Sequence, residues 1–585
     1  MHRTPAVTGR RVRPQASTSR RFSGPCRTGR YRAGVTVDDA ALIRTAAEAW
    51  LAEDPDEDTR AELRRLVDAG LASEAELADR FRGKLEFGTA GLRGAVGAGP
   101  NRMNRVVVIR AAAGLAAYLK DNGLTDGPVL IGYDARHKSD VFARDTAAVI
   151  RGAGLDAVLL DRPTPTPVVA FGIRHLKAVA GVVVTASHNP PQDNGYKVYL
   201  GDGSQIVPPA DHEIAAAMDA VGPLDSVPRG EDWQTAGDDL LGAYLDRIAT
   251  LVPADAPRDL KVAYTPLHGV GRLLVEDAVR RAGFAVPAVV ASQADPDPDF
   301  PTVAFPNPEE PGAIDAALEL ARAEGSDLAV ANDPDADRCA VAVPDPAADG
   351  GWRMLRGDEL GALLGEFLLS SRPDGVAACS IVSSSLLGKI AAAYGVRYVD
   401  TLTGFKWIGR VPELVFGYEE ALGYCVDPAA VKDKDGVSTL IRVLELGARA
   451  KADGRTLLDL LDDLAKKYGL HATDQLSARV EDLSLIAAAM DRLRATPPTT
   501  LGGHTVDRID DLSQGSEHLP PTDGLRYTLS EGARVVVRPS GTEPKLKCYL
   551  EVVVPVEGDD VAAARTKAAA ELAAIKQDLG VAAGI

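Results

Sequence analysis

Cysteine is scarce in this chain: five in 585 residues (Cys26, Cys339, Cys379, Cys425, Cys548), odd in number and with no C-x-x-C pair. That excludes a disulfide framework and a cysteine-based zinc site, and it fits a reducing cytoplasm. No run of about 18 apolar residues occurs, so no membrane span is expected. Nucleotide fingerprints are missing as well. There is no G-x-x-x-x-G-K-[ST], and the single G-x-G-x-x-A, Gly152–Ala157, leads from a helix into a strand, the wrong order for a dinucleotide site. Basic charge is short too: the net charge is −18, and residues 1–33 hold nine arginines and no acid, leaving 56 basic against 83 acidic residues, a net of −27, in the remainder. So acidic a body lacks the footprint that a phosphate backbone needs, which excludes nucleic acid as the main partner. The Arg-rich stretch 1–33 lacks the continuous apolar core of a secretory signal and is expected to be a disordered extension outside the fold.

What is present reads as a globular protein of several domains: 45% hydrophobic and 25% charged residues in a chain too long for one core. Asp38–Arg82 is Ala-, Leu- and Glu-rich and helical, broken near Trp50–Asp56. Apolar runs then alternate with helical stretches. Strands are expected at Val129–Tyr133, Ala157–Leu160, Ala178–Thr185, Leu260–Tyr264, Ala288–Ala291, Leu328–Ala331, Val376–Val382 and Arg397–Asp400. Helices fall between them at Val141–Gly152, Arg272–Ala282, Ala313–Glu324, Glu359–Leu369 and Leu386–Tyr394. Such alternation predicts an α/β fold, three serial units with mixed, mostly parallel sheets. Beyond Gly469 strands at Arg526–Leu529, Arg534–Val537 and Lys547–Val554 precede a helix at Asp560–Gln577, a smaller C-terminal α+β domain. The expected divisions are 34–226, 227–352, 353–468 and 469–585, around a central cleft. Pro223–Asp239, Val343–Gly351 and Pro497–Pro521 read as loops or linkers.

Five segments carry chemistry. In Gly181–Lys197 a small, β-branched strand ends in Thr185-Ala-Ser187-His188-Asn-Pro190, followed by the turn formers Pro191–Gly195. A buried strand that delivers a serine to a polar turn suits a nucleophile, although a helix-capping serine looks alike. Asn332-Asp333-Pro-Asp335-Ala-Asp337-Arg338 follows the apolar Leu328–Ala331, so its acids sit at a strand's C-terminal end, where α/β sheets bind ligands. Alternating carboxylates there suit a hard divalent cation such as Mg²⁺. An EF-hand is excluded because Arg338 and Pro344 stand where Gly and Glu are needed. Arg538-Pro-Ser540-Gly541-Thr542-Glu543 reads as a phosphate cradle. Adjacent carboxylates such as Glu419 and Glu420, after Leu414–Phe416, can accept from sugar hydroxyls, although most such pairs are merely solvated. Phe87–Gly94 is glycine-rich around Arg93.

Together these segments resemble the α-D-phosphohexomutase superfamily, the phosphoglucomutases and phosphomannomutases, from about Trp50 to the end of the chain. The resemblance implies a phosphorylated Ser187, with Mg²⁺ held by Asp333, Asp335, Asp337 and a phosphoserine oxygen on Ser187. It implies that Arg93, His188 or Lys197 handles the proton and that Arg338 orients the phosphoserine. Thr403, Gly404, Glu419, Glu420, Ala421 and Lys432 would contact the sugar. Arg538, Ser540, Gly541 and Thr542 would hold the phosphate that is not reacting. A phosphoryl group would move between the 1- and 6-hydroxyls of glucose or mannose, through a sugar 1,6-bisphosphate that also serves as activator. A phosphosugar is the implied partner, and the chain is expected to be a cytoplasmic monomer or dimer.

One position departs from the hexose pattern. Ala421 stands where hexose-specific members carry Ser, and a methyl group cannot replace the hydroxyl's hydrogen bond. The surrounding Tyr-Glu-Glu-Ala-Leu-Gly-Tyr, with Lys432-Asp-Lys-Asp-Gly436, resembles the branch with phosphopentomutases and bisphosphate synthases. Pentose mutation or glucose 1,6-bisphosphate synthesis is therefore the alternative. A phosphatase that uses Ser187 and a binding protein without turnover are the readings from other classes. Retention of the serine, the three acids and the cradle argues against the latter.

Overall fold

The computed structural model describes residues 37–88, 91–371, 374–480, 483–516, 518–540 and 545–585. The Arg-rich stretch 1–33 lies outside the described residues, as do Gly541 and Thr542 of the expected phosphate cradle.

Three helices open the described chain, Val37–Glu53, Glu57–Asp68 and Glu74–Phe81. Pro55 breaks the first from the second, which Asp56 caps by accepting from the Asp58 amide. The first sheet runs Leu92–Ala95, Asp193–Leu200, Ala180–Val184, Val129–Tyr133, Ala157–Leu160, Gln234–Ala236, parallel at its centre and antiparallel where Asp193–Leu200 joins. The second places Leu328–Ala331 parallel to Val262–Thr265 and antiparallel to Ala340–Pro344. In the third, Val376–Ser380 lies parallel to both Arg397–Thr401 and Leu414–Glu419. The fourth has six strands, antiparallel throughout, covered by the helix Val561–Ala583. Three α/β units with mixed sheets and a C-terminal α+β domain are therefore the fold.

Several local readings change. Asn194 and Gly195 lie inside the strand Asp193–Leu200, not in a turn. Gly195 is needed because a Cβ there would come within 2.6 Å of the Thr185 carbonyl oxygen and 2.8 Å of that of Leu92. Ala340–Pro344 is a strand, so the acidic loop joins two antiparallel strands. Within Pro497–Pro521 the strands Thr500–Leu501 and His504–Asp511 extend the fourth sheet, their polar residues being those of an exposed edge. Gln234–Ala236 forms a short strand within Pro223–Asp239. The helices Arg105–Asp121, Thr166–His175 and Gly436–Ala452, not read from the sequence, are buried over most of their length.

Candidate active site

Ser187 lies three residues beyond the buried strand Ala180–Val184, with φ of 55°, a left-handed conformation unusual for a serine. The Thr185 hydroxyl accepts from its amide at 2.8 Å. The loop is held from beneath by Arg136, a residue not singled out in the sequence. Its guanidinium donates to the carbonyls of Ser187 (2.6 Å), Asn189 (2.5 Å), Pro190 (2.8 Å) and Asp193 (3.1 Å). Arg136 itself lies 4.9 Å over the ring of Phe300, from the second unit. Four carbonyls on one planar fork leave the loop little freedom.

The acidic loop meets this serine from the second sheet. Asp333, Asp335 and Asp337 are wholly buried, and one carboxylate oxygen from each lies within 4.8 Å of the others. Ser187 Oγ donates to Asp333 Oδ2 at 2.7 Å. Lys197 Nζ donates to Asp335 Oδ2 (2.7 Å) and Asp337 Oδ2 (2.8 Å), and Thr166 Oγ1 donates to Asp335 Oδ2 (2.7 Å). Burial opposes their ionisation, yet Lys197 holds both Asp335 and Asp337 below the usual carboxylate range. The cation beside Asp333 is Arg338, more distant at 3.9 Å, so burial and its two anionic neighbours push it well upward. The outer oxygens, Oδ1 of Asp335 and of Asp337, are buried without a partner. Three clustered carboxylates, two of them with orphaned oxygens, fit a small divalent cation that takes oxygen ligands.

Lys197 is thus committed to the acids behind Ser187 and does not face the cleft, which differs from a proton-handling position at the substrate. His188 and Arg93 do face it. His188 Nδ1 is 3.2 Å from Ser187 Oγ. Loss of water contact and the cations Arg338 and Arg93 push the imidazole well below its usual range, so it is neutral at pH 7. Arg93 donates to Asn189 Oδ1 at 3.4 Å.

The cleft is a cavity of about 590 Å³ lined by loops of all four sheets. Thr403, Gly404, Glu419, Glu420 and Ala421 line it from the third unit, and Arg538 and Ser540 from the C-terminal domain. Arg338 donates to the Ala421 carbonyl at 2.8 Å, stitching the acidic loop to the sugar loop. Glu420 Oε2 accepts from Ser380 (3.1 Å) and Ser383 (3.0 Å). Lys432 is not among the lining residues; Lys434 is, 3.3 Å from Asp337. The intervening Asp433 turns away to accept from Tyr199 and Gln205, both at 2.7 Å, and Asp435 caps the helix Gly436–Ala452. That fixes which lysine of Lys432-Asp-Lys434 points inward.

Sequence reasoning missed Arg136, Thr166, Lys434, Glu309 and Lys547. Only Lys434 and Arg136 carried a local sign, a polar residue just past an apolar run. Glu309, on the second unit's side of the cleft, lies 4.0 Å from Arg338.

The comparisons agree with this architecture. Four domain signatures match in order: Phosphoglucomutase/phosphomannomutase, alpha/beta/alpha domain I over residues 84–223, domain II over 242–349, domain III over 356–468, and the C-terminal domain over 476–574. The chain belongs to the phosphoglucomutase/phosphomannomutase family and is an enzyme of the phosphomutase type. Among curated relatives, a probable phosphomannomutase of Haemophilus influenzae is 48% identical over 457 residues, covering 77% of this chain and 93% of that one. The human phosphopentomutase is 35% identical over 584 residues, covering 89% and 93%. A solved structure, a putative phosphomannomutase from Thermus thermophilus, superposes with a TM-score of 0.64 at 26% identity, covering 84% and 99%.

Proposed function

We infer that this chain interconverts the 1-phosphate and 6-phosphate of glucose or mannose, through a phosphoserine at Ser187 and a bisphosphate intermediate. The observation that carries this reading is Ser187 itself, buried beside three clustered carboxylates in a cleft that Arg538 of the C-terminal domain also lines. A reorienting bisphosphate requires one reactive and one passive phosphate site.

In the first half-reaction the sugar hydroxyl oxygen attacks phosphorus and the P–Oγ bond of phosphoserine breaks. The hydroxyl's proton passes to a base, for which neutral His188 is the best-placed group. The bisphosphate then turns, Ser187 Oγ attacks its other phosphorus, and the released sugar oxygen recovers the proton. Asp333, Asp335, Asp337 and a phosphoserine oxygen would hold Mg²⁺, which neutralises charge on the transferring group. Lys197 keeps Asp335 and Asp337 ionised for that purpose. Arg93 binds the reacting phosphate, while Arg338 braces the acidic loop against the sugar loop. Glu419, Glu420, Thr403 and Gly404 take sugar hydroxyls, and Arg538, Ser540, Gly541 and Thr542 take the far phosphate. A sugar 1,6-bisphosphate reloads Ser187 and acts as activator.

Ala421 favours a second reading, pentose 1-phosphate to 5-phosphate, since one hydroxyl contact expected for a hexose has no donor there; the likeness to the human phosphopentomutase supports it. Comparing kcat/KM for glucose, mannose and ribose 1-phosphates, with Mg²⁺ and a bisphosphate present, decides between them. Greatest efficiency on a hexose is expected. Preference for ribose moves the assignment to pentose, and steady phosphate release without isomerisation overturns both.

A further inference from the structure

Away from the reacting groups, a buried ion pair joins the C-terminal domain to the loop beneath Glu420. Arg534 and Glu551 are register partners on adjacent antiparallel strands, Arg534–Pro539 and Lys545–Val554. Glu551 is 2% exposed. Burial opposes its ionisation, but Arg534 and donors from His471 and Ser384 hold it well below the usual carboxylate range. Its partners come largely from the third unit: Ser384 Oγ at 2.5 Å, and the Ser385 amide at 2.9 and 3.1 Å from its two oxygens. Besides Glu551, the Arg534 guanidinium donates to the carbonyl of Ser383 and, at 3.3 Å, to that of Ile381.

The same loop holds Glu420 on its other side. Ser380 and Ser383 donate to Glu420 Oε2, and the Glu420 amide donates to Ser383 Oγ at 3.0 Å. Ser383 is therefore gripped through its carbonyl by the C-terminal domain and through its hydroxyl by the sugar loop. Adhesion does not explain the charges. An apolar patch beside them, including Ile381, Val382, Val536 and Tyr549, already joins the two domains. A buried ion pair contributes little net stability compared with apolar residues of the same size. What the pair adds is direction: aimed hydrogen bonds onto two carbonyls, one amide and one hydroxyl of the loop.

We propose that Arg534 and Glu551 are positioning residues that aim Glu420 through Ser383 when the C-terminal domain is seated. Hydroxyl reading and phosphate holding are then linked, because that domain also carries Arg538 into the cleft. The proposal rests on Glu420 acting on the sugar.

The test is steady-state kinetics on the full chain with hexose 1-phosphate, Mg²⁺ and bisphosphate. The variants are Arg534→Met, Glu551→Gln, Ser383→Ala, Glu420→Gln and the pairs of each of the first two with Glu420→Gln. Inhibition by inorganic phosphate is measured alongside. Expected for Arg534→Met and Glu551→Gln is a kcat loss of about tenfold or more, with KM and phosphate inhibition changed less than about threefold. Each pair should lose no more than its worse single variant. Multiplied losses in the pairs overturn the positioning role, as does a rise in KM with weakened phosphate inhibition, which marks a domain merely loosened. Glu551→Gln retains acceptors for Ser384 and Ser385, so it keeps the test open where Arg534→Met fails to fold. If Glu420→Gln alone leaves every phosphosugar rate unchanged, the sugar role of Glu420 falls and the proposal with it. Impaired Glu420→Gln with multiplied pairs sinks only the proposal.

Discussion

Ser187 Oγ stands 2.7 Å from Asp333 Oδ2, across 146 residues of chain and the junction of two sheets. Neither group is unusual in its own segment. Their meeting places a hydroxyl in left-handed backbone against a carboxylate that burial and two anionic neighbours have pushed upward. A site with three clustered buried carboxylates and orphaned oxygens suits a cation, and a serine at its rim is where phosphate would share that cation.

Removing the proposed nucleophile tests this centre directly. Ser187→Ala is expected to abolish isomerisation and phosphate incorporation from a sugar bisphosphate while the melting temperature stays near that of the wild type. Near-normal turnover in the variant would sink the phosphoserine route.

Lys197 tests the charge balance of the acid cluster. Lys197→Met leaves Asp335 and Asp337 buried with their cation gone, and breaking such an arrangement costs about 3–5 kcal/mol. Denaturant unfolding should show that loss. Added Mg²⁺ should restore more stability to the variant than it adds to the wild type, because the ion then replaces the charge compensation lost with Lys197. Equal Mg²⁺ stabilisation of both proteins would count against the acids as the metal site.

Arg136 touches four carbonyls of the serine loop. An ammonium group cannot serve four acceptors in one plane, so Arg136→Lys should release the loop without removing positive charge. Expected is a fall in kcat of about 10- to 100-fold with KM little changed, since displacement of the nucleophile harms the transition state more than binding. Unchanged kcat would show that the left-handed turn at Ser187 is self-supporting.

Asp358 links pH to stability. Burial pushes its carboxyl up to about 7, against opposing bonds from the Ser384 amide (2.6 Å) and Tyr418 hydroxyl (3.0 Å). Its ordinary value is 3.8. Below both values the group is protonated folded and unfolded alike, and stability is unaffected. As pH rises from about 4 to about 7 the unfolded chain ionises while the folded one resists, so folded stability falls by up to about 1.4 kcal/mol per pH unit. Above 7 the loss is complete. Asp358→Asn keeps an acceptor for both donors and cannot ionise. Its stability relative to wild type should therefore climb between pH 4 and 7 and then level off, as read by melting temperatures across that range. A difference independent of pH would refute the buried, protonated Asp358.

Much of the fold was legible because short apolar strand runs alternate cleanly with helical stretches along the chain. Val129–Tyr133, Ala157–Leu160 and Leu328–Ala331 form as their apolar runs predict. Gly436–Ala452 was missed although Arg442, Glu445 and Arg449 mark one face of it, where they pair with one another. Asn194-Gly195 reads as a turn since its residues are turn formers, yet the crowding of Thr185 and Leu92 is what requires glycine within a strand.

The chemistry itself belongs to the sequence. Serine, three alternating acids, paired glutamates and an Arg-Ser-Gly-Thr loop are residue types whose local context names their reactivity, and local context is what a linear chain records. Direction and partnership were decided only by folding. Lys197 serves the acids and Lys434 the cleft because helix and sheet packing set which way each ammonium points. Arg136 acquired its role from carbonyls that begin 51 residues downstream, and Glu420 its hold from two serines of another strand and loop. Contacts of that kind are long-range, carry no periodicity, and exist only once the sheets have packed.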